Sequence, residues 1–224
     1  MTASGTVASV SDDMQRAQTV EERQVTDAWR RIASWLRQHA PATLEELLPG
    51  ASEEEIAALE QALGVRIPVG LKALWRECAG VQSGSGAVFL LERRALMRFD
   101  AIVVVYQMQI QLQRRSQTLS ERRGEVQEVA LWQPSWIPFC SFGADDYTYG
   151  LSLDAETGRL WSWSQFAERS VEFESLTAYL EEMADVLEVP SLATGYRPGL
   201  VNDALEWGPP EDPEQRALWV PYSG

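Results

Sequence analysis

The sequence predicts an α+β fold, on three observations. Up to Gly80 the apolar residues recur at helical spacing between capping signals. From about residue 129 the pattern changes to short apolar and aromatic runs separated by turn residues. An amphipathic helical stripe then returns at 172–187.

Residues 1–24 are small, polar and aperiodic, and read as a flexible N-terminal arm, either disordered or weakly helical. Residues 26–39 read as the first helix. Trp29, Ile32, Ala33 and Leu36 share one face, and Pro41 stops the run. TLEELLPG after it suits a short helical turn. In ASEEEIAALEQALGVRIPVGLKALWRECAG, Ser52 and Glu55 have the spacing of a capping box. Glu53 and Glu54 place negative charge where the helix dipole favours it. Ile56, Leu59 and Leu63 form the inner stripe, and Gly64 suits the left-handed residue that ends a helix. Pro68 opens a second helix with Leu71, Leu74, Trp75 and Cys78 on one face, and Gly80 is expected to close it. The short link between the two helices predicts a hairpin or corner.

VQSGSG reads as a loop and AVFLL as a strand. Residues 100–118 fit a helix capped by Asp100, although the alternation QMQIQLQ also suits a strand. The length favours a helix. VALWQPSWIPFCSFG, YGLSLDAETG and RLWSWSQ read as short antiparallel strands, with a hairpin turn at DAETG. Phe173, Leu176, Leu180, Met183 and Leu187 line the inner face of a last helix. From residue 190 the chain is rich in Pro, Gly and Trp without a period. It is either an extended tail laid over the domain or disordered, and its Trp207, Trp219 and Tyr222 favour docking.

The 224 residues suit one domain with tails: an arm at 1–24, a domain at 25–189 and a tail at 190–224. Hydrophobic residues at 45% allow a core that needs no disulfide or metal. Cys78 and Cys140 lie far apart in apolar surroundings and read as buried, reduced thiols. The first 25 residues lack the apolar stretch of a signal peptide. The longest strongly apolar run, AIVVVY, is far too short to span a membrane. A cytoplasmic protein with no membrane association is expected.

A net charge of -14 argues against nucleic-acid binding, which requires cationic surface. It suits steering towards a basic protein partner. The acidic bias lies late in the chain: Asp145 to Glu188 holds eleven acidic residues against Arg159 and Arg169. Glu92 to Arg123 holds seven arginines against Glu92, Asp100 and Glu121.

The order of these motifs resembles the SUKH superfamily, which includes fungal cell-wall assembly regulators and many bacterial immunity proteins. The resemblance rests on Glu54, Glu60, Leu63, Gly64, Ile67, Pro68 and Gly80 in the helix pair. Trp136-Ile137-Pro138 and the Asp154 to Gly158 turn follow it. It covers roughly residues 26–188; the segment 100–123 and the tail depart from the family pattern. It implies a single domain with a mostly antiparallel sheet and several surrounding helices. The function it implies is non-enzymatic: a protein-binding module, foremost an immunity protein that neutralises a cognate toxin by direct contact. The alternative is a regulatory scaffold.

No motif points to catalysis. His39 at a helix end suits a capping or surface role. One histidine and two distant cysteines make no zinc signature. GSG at 84–86 lacks the remainder of a phosphate loop and reads as a turn. No cofactor is expected. The partner surface is expected at Trp132, Trp136, Asp145, Asp146, Tyr147, Tyr149, Asp154 and Glu156. There tryptophans border the acidic, tyrosine-bearing stretch SFGADDYTYG, as anchors and rim charges do at interfaces.

Overall fold

A computed structural model describes residues 4–124, 130–164 and 169–224, with side chains from residue 12 onward. The fold is α+β, and two antiparallel sheets share it with the helices. In chain order the elements are α1 (Ser4–His39), α2 (Pro41–Glu45), α3 (Glu53–Leu63), α4 (Val69–Glu77), β1 (Ala95–Leu96) and α5 (Phe99–Arg123). Then come β2 (Trp136–Ser141), β3 (Tyr149–Asp154), β4 (Leu160–Ser164), β5 (Val171–Phe173) and α6 (Leu176–Glu188). The chain ends with β6 (Arg197–Val201), β7 (Ala204–Gly208), α7 (Pro213–Leu218) and β8 (Val220–Pro221). The first sheet is a meander in the order β1-β2-β3-β4-β5, and the second runs β7-β6-β8.

The opening helices form as their caps dictate. The Ser52 hydroxyl accepts the Glu55 N–H at 3.2 Å, and the Glu55 carboxylate accepts the Ser52 N–H at 2.8 Å. Gly64 ends α3 at φ 66°, where only glycine is unstrained. Glu60, one of the glutamates in the helix-pair motif, then fixes the link to α4. Its carboxylate accepts from the Ile67 N–H at 2.7 Å and from Lys72 Nζ at 3.0 Å. Pro68 stands one residue outside α4, and Gly80 does not close that helix, which ends at Glu77 with Cys78 extended. Gly80 serves a different purpose. At φ 128° its backbone packs so tightly on Met97 and Arg98 that a Cβ would overlap them.

The first helix is longer than the apolar stripe at 26–39 implies. α1 begins at Ser4, and residues of the expected arm are helical where described. The cause is tertiary. Pro68 cannot cap α4 with a side chain. Glu21 of α1 accepts the Gly70 N–H at that helix start. Arg76 binds Glu22 at 2.6 Å and Glu53 at 2.5 Å, which ties α1 to α3 and α4. Further along, Arg31 reaches Glu188 at 2.9 Å and Asp185 at 2.6 Å on α6. Between these ties Val25, Ala28, Trp29, Ile32, Trp35 and Leu36 are buried.

β2 is buried at all six positions, so both its faces are covered. Its ladder with β3 slips at Pro138 to Cys140, where the proline has no N–H to give. Residues 100–118 are helical, within α5, whose inner face buries Ile102, Val105, Tyr106, Gln109 and Gln113. AVFLL is not a strand. It is a buried loop that turns into a tight hairpin bridged between Leu90 and Arg94. Phe173 lies on β5 rather than on the last helix, which Ser175 caps by accepting the Ala178 N–H at 3.1 Å. Residues 129 and 165 of the expected strands lie outside the described residues.

The tail is neither disordered nor simply extended. Asn202 and Asp203, both at positive φ, turn β6 into β7. Trp207 is fully buried and donates its indole N–H to the Phe89 carbonyl at 2.8 Å. The Tyr222 hydroxyl lies 3.3 Å from His39 Nε2, and both rings pack with Trp35. His39 is therefore a packing residue at the end of α1.

Trp207→Ala removes that anchor and its hydrogen bond from the core. It is expected to cost about 3–5 kcal/mol in urea denaturation. It should also expose residues 190–224 to limited proteolysis before the rest of the chain. An unchanged denaturation midpoint would show the second sheet to be an independent appendage.

Candidate protein-binding surface

The eight expected surface residues do not form one site. The β2–β3 ladder pairs Trp136 with Asp154 at one end and Ser141 with Gly150 at the other. Trp132, Trp136, Asp154 and Glu156 thus lie at one end of these strands. Asp145, Asp146, Tyr147 and Tyr149 lie at the opposite end, about 17 Å away at strand rise.

The first group faces inward. Trp132 and Trp136 are only 1% and 3% exposed. Their rings meet edge to face at 5.7 Å, and Trp136 stacks on Trp161 at 5.1 Å. Rings so enclosed form a core wall, and the aromatic anchors expected here are absent from the surface. Asp154 is also buried. Its carboxylate accepts from the Glu156 N–H at 3.1 Å and the Thr157 hydroxyl at 2.7 Å, which folds the β3–β4 turn. Glu156 alone of this group is exposed.

The second group shapes a loop that reaches solvent. Asp145 acts as a staple between two loops. It accepts from the Ser83 hydroxyl at 3.1 Å, the Gly84 N–H at 2.5 Å and Arg98 Nη1 at 3.0 Å. These donors, the Gly84 amide foremost, hold the carboxyl below the ordinary aspartate value. The Gly-Ser turn at 84–86 therefore binds an internal carboxylate. Asp146 accepts from the Thr148 N–H at 3.0 Å and its hydroxyl at 2.7 Å, and stays exposed. The Tyr147 hydroxyl donates to the Ala144 carbonyl at 3.2 Å.

On this frame sit two rings. Phe142 is 37% exposed, and its ring lies 4.7 Å from that of the half-buried Tyr149. Burial raises the Tyr149 hydroxyl above its ordinary value, and Arg94, Arg93, Asp146 and Tyr196 all act on it electrostatically. Tyr196, just before β6 of the second sheet, is 42% exposed. Asp100 at the start of α5 adds an exposed carboxylate beside Arg98. The outcome is an aromatic pair with Asp146 and Tyr196 in its neighbourhood, and with Asp100 acting electrostatically on Tyr147. Phe142 and Tyr196 were not singled out in the sequence. Phe142 stands within SFGADDYTYG, between Ser and Gly just past a strand end. Tyr196 has no sequence signal, because the second sheet brings it there.

Nearby, Glu92 and Arg93 both adopt φ 59°, costly for residues with a Cβ. Arg93 pairs with Glu206 at 3.1 Å and Arg94 with Glu92 at 2.6 Å, which holds the hairpin against β7. A cleft beside it, lined by Leu91, Glu92, Phe173, Glu182 and Tyr196 among others, measures about 80 Å³. Small-molecule pockets run to roughly 300–1,000 Å³. Among the described residues, no three His, Cys, Asp or Glu side chains gather as a metal site, and no helix is long and apolar enough to cross a membrane. Cys78 and Cys140 are both buried and unpaired, and burial pushes each thiol up to about 12. Such thiols are poor nucleophiles at neutral pH.

Fold and surface together define an α+β domain with a ring pair and exposed carboxylates at one end of its first sheet. The chain belongs to the SMI1 / KNR4 family (SUKH-1), whose model matches residues 50–182. The matched span runs from the α3 cap through β2–β5 into α6, and so includes the Asp145 staple and the Phe142–Tyr149 ring pair. No curated protein matches the chain.

Asp145 supplies a pH test. Its folded pKa lies below the unfolded value of about 3.9. Its stabilisation of the two loops is therefore complete above that value, and is lost as pH falls through the lower folded pKa. Protection of the Gly84 amide, measured against its intrinsic exchange rate at each pH, should fall on acidification through that range. Asp145→Asn should show faster exchange already at neutral pH. Equal protection at all pH values would remove the staple.

Proposed function

We propose that the chain is an immunity-type protein that neutralises a cognate toxin by direct contact. Its binding surface is the Phe142–Tyr149 end of the first sheet, with Tyr147, Tyr196, Asp146 and Asp100 around the rings. Membership of a family of immunity- and regulator-type binding modules, in general non-enzymatic, supports this reading. The observation that carries it is the partly exposed ring pair flanking a braced loop, edged by carboxylates. Rigid rings lose little entropy on binding and anchor interfaces, while rim charges govern encounter.

The partner is a protein domain with a basic surface. A chain of net charge -14 is drawn to such a surface and repelled by nucleic acid and by anionic membrane. The protein acts in the cytoplasm and needs no cofactor. A regulatory scaffold is the second reading, favoured by the match to the family of the fungal regulators themselves.

The two readings divide in the host. An immunity protein protects cells against the toxin encoded beside it, whereas a scaffold protects against none. With that toxin domain in hand, Phe142→Ala with Tyr149→Ala should weaken binding at least about 30-fold, given roughly 2 kcal/mol for a hot spot. Asp146→Lys should slow association mainly at low salt. Wild-type protection by the double ring variant would refute this surface.

A further inference from the structure

We infer that the C-terminal half of α5 is the docking face for an acidic amphipathic helix of a second protein partner. None of residues 114–123 is buried, so roughly 15 Å of helix has no cover among the described residues. Helices in proteins owe most of their stability to packing, which this stretch lacks within its own chain. Met108, Leu112, Arg115, Leu119 and Arg122 follow one another at the alternating four- and three-residue spacing of a coiled-coil seam. At 3.6 residues per turn they fall within an arc of about 80° that flanks the buried stripe of Val105, Gln109 and Gln113. Leu112 is 40% exposed and Leu119 52%, Arg115 and Arg122 are exposed, and Met108 is half-buried. Isolated exposed apolar residues are ordinary on a protein surface. A seam-spaced row with arginine between the leucines is a pattern that a partner can read.

The charges on this face select the occupant. Arg114, Arg115, Arg122 and Arg123 are exposed and make no ion pair among the described residues. The helix dipole favours Arg122 and Arg123 in the last turn, but Arg114 and Arg115 lie too far from the helix end to gain from it. A second copy of this seam carries no carboxylate, and would leave its arginines opposed to one another or sealed against leucine. A bilayer or a nucleic-acid duplex is a broad anionic surface, and repels the remainder of a chain of net charge -14. A single helix touches this face alone. The helix that fits it carries Asp or Glu at alternate seam positions and leucine-like residues between them. Its carboxylates pair bidentately with Arg115 and Arg122, which stand about 10.5 Å apart along the helix. Its apolar residues cover Leu112 and Leu119. The seam lies roughly 15–35 Å along α5 from Arg98, which holds Asp145, so the ring pair stays free for its own partner. One short helix pair is a small interface, so the complex is weak and reversible.

The probe is a labelled synthetic helix of about three heptads with leucine and glutamate alternating along its seam. Fluorescence anisotropy with the full chain should show saturable binding that weakens with salt. A peptide of the same composition with its seam order scrambled should bind about ten-fold more weakly or worse. Leu112→Ser and Leu119→Ser should each weaken binding about ten-fold, with circular dichroism unchanged because both positions are exposed. Arg115→Glu with Arg122→Glu should abolish binding, and should bind a peptide with lysine in place of glutamate more tightly than the wild type does. Phe142→Ala with Tyr149→Ala should leave the peptide's affinity unchanged, which separates this face from the ring pair. A wild type that does not bind, that binds the scrambled peptide equally well, or whose binding is indifferent to the leucine and arginine changes overturns the proposal. So does a preference for phosphatidylserine vesicles or duplex DNA over the peptide, or a wild type that dimerises through Leu112 and Leu119 in sedimentation equilibrium.

Discussion

The complete burial of β2 is the constraint on which the remainder of the structure depends. A strand enclosed on both faces needs apolar cover on each side, and WIPFCS has no polar face to turn to solvent. α5 packs against this strand, while α6 and the core stretch of α1 complete the shared core. The helices are then held to one another by charge at their margins. Arg31 joins α1 to α6, and Arg76 joins α1 to α3 and α4. The rings of Phe142 and Tyr149 flank the loop that joins β2 to β3, at one end of this buried strand.

The same logic accounts for what could be read in the sequence. The Ser52–Glu55 box and Gly64 were legible because a cap is a local event, settled within a turn of helix by atoms that are neighbours in the chain. Glu60 was legible as a motif residue, while its role as a brace for the Ile67 amide and Lys72 needed the structure. α5 was read correctly by length over alternation, since burial of a helical stripe decides such a segment. Gly80 and AVFLL were misread for one reason. Both lie in a loop packed against β1 and the second sheet, so tertiary contact replaces the helix end and the strand that their composition suggests.

Trp132 and Trp136 teach the opposite lesson. A tryptophan beside a polar loop in sequence can face either way, and proximity along the chain carries no information about burial. The β2–β3 register decides it. Asp145 and Tyr149 lie close to residue 141 and Asp154 close to residue 136, so a stretch of some twenty residues folds into two ends of a ladder. The one surface element that sequence could not have supplied is Tyr196. It arrives through a second sheet locked by Trp207, a residue whose only sequence signal was a tendency to dock.

Charge explains the remaining asymmetry. Six arginines of the compact body are engaged: Arg31, Arg76, Arg93, Arg94, Arg98 and Arg159 each contact a carboxylate. Exposed pairs of this kind add little stability singly, but they neutralise basic charge where it stands. The excess acid is then left to colour the body of the molecule. The four arginines late in α5 have no such partners among the described residues, and they concentrate positive charge at one end of one helix. The ion pairs of the body and the unpaired arginines late in α5 thus divide the molecule's charge between an acidic body and one basic helix end.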